Sequence, residues 1–284
     1  MGDKQLPPVP PGLELTSRCY QYAPSYIPNL TVKTWWDDVN ENMWARILSK
    51  SYSAIKDEFE SVVFAKADKL IAEGSNVWAG ALTSDAESYG QGWKTLVLLN
   101  RGQWDDANTK LFPVTSKAIY DSGIPAVEAF FASMDAKSSI KPHSDFTNFV
   151  LTCHLPLIVP DNGRNKCRLT VGDETRQWTE GNLILFDTSI YHDATNEADA
   201  TRYILMLRIW HPDLTKEECD ALQFIYDCLE YPDLLSEDTE LALSAQRLAS
   251  LMKEFPLEQS RTTGGFGGSK GKVGDKKSAR RAKR

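Results

Sequence analysis

The sequence predicts a mainly β protein with flanking helices, and three observations predict it. Apolar runs bounded by Pro, Gly and Asp recur through the centre of the chain at Phe149–Val159, Asn182–Phe186 and Arg202–Trp210, each of strand length and rich in aliphatic and aromatic residues. Ahead of them, Trp36, Val39, Met43, Trp44, Ile47, Leu48, Ser51, Tyr52 and Ile55 recur at three- and four-residue spacing, with Asp37 and Asp38 at the helix N-terminus. All four histidines fall between residues 143 and 211, within the strand-rich part.

Taken in order, Pro7-Pro-Val-Pro-Pro11 favours extended backbone, so residues 1–34 are expected to form an extended linker or edge segment. The Trp36–Ile55 stripe is a helix that packs on a core, and a second helical segment is expected over Glu58–Glu73. Between Glu73 and Pro125 the chain is rich in Gly, Asn and Asp, which predicts long loops around one strand at Gly92–Leu99. Trp93, Arg101 and Trp104 in this stretch are candidate substrate contacts, although packing accounts for each more simply. Val127–Met134 reads as a strand leading into the site. After Pro212, Thr215-Lys-Glu-Glu218 has capping-box spacing and opens a helix, and a further helix is expected over Glu237–Phe255.

At 284 residues, with 42% hydrophobic and 25% charged residues, the chain is an ordinary globular protein long enough for one large β domain with helical additions. No apolar run is long enough to span a bilayer, and the first residues lack a secretory pattern, which predicts a cytoplasmic address. Five cysteines without metal-type spacing read as reduced thiols. The net charge of −7 is uneven. Residues 261–284 hold nine Lys or Arg and one Asp, a balance of +8, leaving −15 on residues 1–260. The body will therefore not attract nucleic acid. The Gly-rich basic tail could contact an acidic partner or nucleic acid, or direct the protein to the nucleus.

The chemistry is written between Lys141 and Pro212. His143-x-Asp145 followed at a distance by His192 is the ligand set of a facial-triad Fe(II) site, which leaves three coordination positions open. Residues i and i+2 share a face only in extended chain, so His143 and Asp145 need a strand or its end, and His192 is expected from another strand across a barrel. Asp145 is read as the third ligand, the alternative being a carboxylate that orients His143 or a bound water. Asp193 faces away as a surface charge, while Thr147 and Asn148 read as structural. His211 is expected to shape the turn out of the last strand. Arg202 opens that strand, where its guanidinium could hold a carboxylate; Arg208, six residues on, shares its face about 20 Å deeper.

These motifs carry a resemblance. Pro-His143-x-x-x-Thr-Asn148, His154-Leu155, Trp178-x-x-Gly181, Phe186-Asp187-x-Ser189-x-x-His192, Arg202 and Trp210-His-Pro-Asp-Leu214 resemble the aspartyl/asparaginyl β-hydroxylase family of 2-oxoglutarate-dependent oxygenases, over roughly residues 35–215. The resemblance implies a double-stranded β-helix (jelly-roll, cupin-like) barrel buttressed by helices, with His143 and His192 as iron ligands and Arg202 gripping the distal carboxylate of 2-oxoglutarate. It also suggests that His154 helps hold 2-oxoglutarate near the iron, against a buried structural hydrogen bond as the alternative. A hydroxyl on the Val127–Met134 strand would assist and falls near Ala132 or Ser133, making Ser133 the candidate.

Two departures matter. Members that hydroxylate EGF-like domains have Gly where this chain has Asp145, whereas the lipid A hydroxylase-like branch is similar in having Asp. The EGF-directed members also have Arg where this chain has Thr152, so the co-substrate carboxylate near the metal is expected to be held differently and an EGF-domain substrate is disfavoured.

The layout expected is an extended segment at 1–34, the hydroxylase-like barrel with its helices at 35–215, helices at 216–258 and a basic tail at 259–284. The function expected is an Fe(II)- and 2-oxoglutarate-dependent dioxygenase using O2 to hydroxylate an unactivated carbon. That carbon is the β-carbon of Asp or Asn, peptidyl or free. Alternatives are the same chemistry on a lipid-acyl or small-molecule carbon, or an inactive barrel serving as a binding module.

Overall fold

The structure is a computed structural model; it describes residues 18–65, 79–80, 92–145, 147–161 and 163–231, together with positions 234, 240, 243, 244 and 247. The Pro-rich start, most of the Glu237–Phe255 helix and the basic tail lie outside the described residues.

After an extended strap (residues 18–36) and a 3-10 turn at Asp37–Glu41, the elements are α1 (Met43–Lys50), α2 (Tyr52–Glu60), β1 (Ala79–Gly80), β2 (Trp93–Asn100), β3 (Gln103–Trp104), α3 (Asp106–Leu111) and α4 (Pro113–Ser122). There follow β4 (Ala126–Met134), β5 (Ser138–His143), β6 (Val150–Ile158), β7 (Cys167–Val171), β8 (Glu174–Arg176), β9 (Ile184–Phe186), β10 (His192–Asn196), β11 (Arg202–Trp210) and α5 (Lys216–Glu230). Among the described residues the strands form a seven-stranded sheet, β1-β2-β4-β11-β6-β9 with β3 beside β2, and a four-stranded sheet, β5-β10-β7-β8. Pairing is antiparallel throughout, and the two sheets face each other as a jelly-roll.

Two cores explain the sequence pattern. Alternate residues of the larger sheet, including Phe131, Leu151, Cys153, Leu205 and Leu207, face outward onto Leu48, Ile55 and Phe59 of the helices. The intervening residues, including Ala132, Met134 and Ile204, face inward onto Ile140, Leu169, Val171 and Trp178. The central strand β6 is covered on both faces, and every residue from Val150 to Leu157 is buried, so it reads as a mainly apolar run interrupted by Thr152 and His154. Pro156 is tolerated there because the β6–β11 register slips beside it and its carbonyl accepts from Gly181 N–H at 3.0 Å.

Two local expectations need correction. The Trp36–Ile55 stripe is a 3-10 turn and two helices: the chain breaks at Ser51, whose hydroxyl bonds back to the Ile47 carbonyl at 3.1 Å. Of the segment expected to be helical over Glu58–Glu73, residues 58–65 are so, as the end of α2 and a π turn at Ser61–Ala65; the rest lies outside the described residues. The Glu73–Pro125 stretch is not all loop, for α3 and α4 lie within it. The Asp and Gly that suggested loop are caps, Asp105 accepting from Asn108 N–H at 2.7 Å and Gly123 closing α4 at φ 68°, with Pro113 at its first turn. The capping box at Thr215–Glu218 is formed.

The strap deserves its place because of what it ties. Tyr22 N–H donates to Ser189 O (2.7 Å), Ser144 Oγ donates to Tyr22 O (2.9 Å), and the Asn148 amide brackets Ile27 through both its oxygen (2.8 Å) and nitrogen (2.9 Å). Lower down, His211 Nε2–H meets Thr31 O at 3.0 Å, so His211 anchors the strap as well as the turn after β11, where its Nδ1 accepts from Asp213 N–H. Asn148 is fully buried. Asn148→Ala is expected to destabilise the protein by about 2–3 kcal/mol, read from urea unfolding, because two backbone groups lose their partners.

Candidate functional site

The inner face of β11 presents Arg202, Ile204, Met206 and Arg208 to a cavity of about 310 Å³ between the sheets. Trp93, Phe130, Ile140 and Leu169 supply apolar walls, and His143, Asp145, His154, Thr188 and His192 supply the polar ones. A larger groove, about 550 Å³, is lined by Lys137, Arg164, Lys166 and Arg168 at the other end of the smaller sheet and holds none of these groups.

His143 ends β5 and His192 begins β10, and the two are direct register partners. His192 therefore reaches the site from the adjacent hydrogen-bonded strand, not from across the barrel as expected. Facing positions on neighbouring strands bring their rings to 4.2 Å between centroids. Asp145 lies two residues past the strand end, where its N–H donates to Thr188 O at 2.7 Å and turns the side chain back toward the histidines. One ligand atom from each of His143, Asp145 and His192 falls within 4.8 Å of the others.

Both imidazoles are held the same way. His143 Nδ1–H donates to Lys141 O (2.8 Å) and His192 Nδ1–H to Ile190 O (2.9 Å), which fixes the tautomer and leaves Nε2 as the lone-pair donor. Burial, with His143 alongside, pulls His192 down to about 3, so its ring is neutral and fit to bind a cation. Burial pushes the Asp145 carboxyl upward, but Arg208 and the two histidines outweigh it and hold it below its ordinary value. The turn before His192 is built by Asp187, whose carboxylate accepts from Ser189 N–H (2.9 Å), Ser189 Oγ (2.5 Å) and Gln21 Nε2 of the strap (2.7 Å).

At the inner end, Arg202 is 2% exposed and stacks 4.4 Å over the Trp178 ring. Its Nε and Nη1 have no hydrogen-bond partner among the described residues, and burial lowers it to about 10. Trp178 Nε1–H donates to His154 Nδ1 at 3.1 Å, which assigns the His154 proton to Nε2, also buried without a partner. Burial and the Arg202 charge drive His154 well below its usual value, keeping it neutral. A buried guanidinium and a buried N–H left unmet by protein groups suit a carboxylate, and the His-Asp-His set suits a divalent metal with open positions. The residues thus fit both an Fe(II) ion and a dicarboxylate co-substrate.

His154 also predicts a pH effect. The unfolded ring titrates near 6.5 and the folded one well below, so the stability it supports is full above about pH 6.5 and is lost as pH falls beneath it. Between pH 6.5 and 5 the wild type should lose about 2 kcal/mol more than His154→Gln, measured by urea unfolding at both pH values.

Some expected residues lie elsewhere. Ser133 sits opposite Tyr203 and faces the helix layer, while Ala132 takes the inward position without a hydroxyl; strand alternation turned on a single residue. Trp93 lines the cavity, whereas Trp104 packs in the outer core and Arg101 lies over Tyr226. Asp193 is not a bare surface charge: it lies at the cavity and pairs with Arg18 of the strap at 3.5 Å. Arg208, on the same face as Arg202 and given no role by the resemblance, lies 3.2 Å from Asp145. Asp187 and Ser189 belong to the motif that carries the resemblance, but their part in building the turn, an Asx-turn spacing, and the strap's bonds to it are shown by the structure alone.

Comparison with known proteins agrees on the class: the barrel is similar to those of proteins named as hydroxylases. More particularly, the chain belongs to the aspartyl/asparaginyl beta-hydroxylase family, whose model matches residues 49–212, more than half its length. Aspartate beta-hydroxylase domain-containing protein 2 of Xenopus tropicalis is 28% identical over 209 residues, 71% of this chain and 53% of that protein. The aspartyl/asparaginyl beta-hydroxylase of Mus musculus is 25% identical over 70% of this chain and 26% of its own length. The ornithine lipid ester-linked acyl 2-hydroxylase of Rhizobium tropici is 29% identical over 60% of this chain and 58% of its own. The chain thus spans about half the length of the first of these relatives. No helix among the described residues is long and apolar enough to cross a membrane.

Proposed function

We propose that the protein is an Fe(II)- and 2-oxoglutarate-dependent dioxygenase that hydroxylates an unactivated carbon, the β-carbon of an Asp or Asn residue, peptidyl or free. The observation that carries this reading is the pairing, in one cavity, of the His143–Asp145–His192 cluster with a buried, unpartnered Arg202 guanidinium. Family membership supports the choice of Asp or Asn.

His143, Asp145 and His192 would hold the metal, the two rings offering the Nε2 lone pairs that their Nδ1–H bonds leave available. Arg202 takes the distal carboxylate of 2-oxoglutarate, and His154 donates its Nε2–H to the co-substrate. With iron and O2 bound, the group supplies oxidative decarboxylation of 2-oxoglutarate to succinate and CO2, one oxygen atom going to the substrate carbon. The protein contributes geometry: Trp178 orients both Arg202 and His154, and Phe186, Ile204 and Met206 exclude water. A second reading, the same chemistry on an acyl chain, is favoured by the apolar walls at Trp93, Phe130 and Leu169.

The test is anaerobic Fe(II) loading followed by succinate formation from 2-oxoglutarate and O2. Iron-dependent succinate is expected, stimulated by Asp- or Asn-containing peptides; stimulation by acyl substrates alone would shift the substrate, and no iron binding would remove the reading.

A further inference from the structure

On β11, Arg208 is the third inward-facing residue after Arg202, at the metal end of the same cavity. Its Nη2 lies 3.2 Å from Asp145 Oδ2, and Nη1 reaches Glu128 at 3.6 Å. Directly opposite Arg208 in the β6–β11 register is Thr152, whose hydroxyl lies 3.4 Å from that of Thr188. Thr188 is tied to Asp145 through its carbonyl, which accepts from Asp145 N–H at 2.7 Å. Arg208, Thr152 and Thr188 therefore form one polar group around a carboxylate that stands beyond its strand, where no ladder fixes it.

We propose that Arg208 is a positioning residue of the metal centre: it fixes Asp145 as the third ligand and adds a positive charge that helps hold the metal-end carboxylate of 2-oxoglutarate. The inference rests on the reading of the site above. The physical reasoning is local. A carboxylate in a loop has several rotamers, and only one points an oxygen between His143 and His192; a guanidinium on the neighbouring sheet selects it. The same planar cation carries a permanent charge at the metal end of the cavity, and that charge acts on Asp145 and on a carboxylate bound beside it alike. The inner face of β11 then carries a cation at each end, matching a co-substrate with an anionic group at each end. It also accounts for an uncharged Thr152: the guanidinium comes from the strand next to it.

The test uses the full chain and readouts independent of turnover. Mn(II) affinity is measured anaerobically by calorimetry, and 2-oxoglutarate affinity by thermal shift of the Mn(II)-loaded protein. Arg208→Met should weaken Mn(II) about 10–100-fold and 2-oxoglutarate as well, whereas Arg202→Met should weaken 2-oxoglutarate alone. The exchange variant Thr152→Arg with Arg208→Thr, which moves the cation to its register partner, should recover most of both affinities. If Arg208→Met does not fold, Arg208→Lys carries the test and should weaken Mn(II) by about tenfold, since a point charge replaces the fork. Wild-type Mn(II) affinity in Arg208→Met or Arg208→Lys overturns the proposal. Failure of the wild type itself to bind Mn(II) or 2-oxoglutarate overturns the underlying reading instead.

Discussion

His192→Ala is expected to reduce iron-dependent succinate formation to background while leaving the protein folded. The imidazole is one of three convergent ligand groups, and its loss leaves His143 and Asp145 to hold the metal alone. Removing a group that only orients a ligand typically costs 10–100-fold in affinity, so removing the ligand should cost more than about 100-fold in Mn(II) affinity. The fold should survive because the ring lies at the cavity wall, where its apolar neighbour is the edge of Phe186. The ring makes one hydrogen bond, to Ile190 O, and its deletion should lower stability by only about 1–3 kcal/mol. Calorimetric metal titration beside circular dichroism checks both parts, and full activity in this variant would remove the iron assignment.

Arg202→Met should produce two effects of opposite sign. The guanidinium lies buried over Trp178 with Nε and Nη1 unmet by protein groups, so in the unliganded protein it costs stability. A methionine of similar length fills the space without that cost and should raise unfolding stability by about 1–3 kcal/mol. The same change removes the charge-assisted contact to the distal carboxylate, worth about 2–4 kcal/mol, and should weaken 2-oxoglutarate by about 30–1000-fold. Urea unfolding and the KM for 2-oxoglutarate give the two readings. A variant that is less stable and keeps its affinity would assign Arg202 to the architecture of the barrel.

How much of this was legible in the sequence depended on how tightly chemistry restricts residue type. Metal ligation admits few side chains, so His143, Asp145 and His192 stood out, and the two-residue period of β11 correctly put Arg202 and Arg208 on one face. What the sequence lacked was the third dimension. Arg208 received no role because its partner comes from another sheet, through a turn after β5 that folds Asp145 back. His192 was assigned to the far wall because strand order is not written locally; β5 and β10 are neighbours although nearly fifty residues separate their histidines. Ser133 failed by the one-residue parity of a strand whose ends are not marked. In α3 and α4, the Asp, Pro and Gly that cap short helices looked like loop composition because caps and turns select the same residues.

The strap couples two equilibria. It bonds the segment after His143 through Ser144 and Asn148, and the segment before His192 through Ser189 and Asp187, distant in sequence from the strap. A metal ion bridging His143 and His192 would join those same two segments from inside. Metal binding and strap docking then share a free energy of interaction, and thermodynamic reciprocity requires each to strengthen the other by one common factor. Iron supply would be felt at the outer surface of the barrel, as protection of Tyr22 and Ile27 from amide exchange, and a partner that peeled the strap away would release iron without touching a ligand.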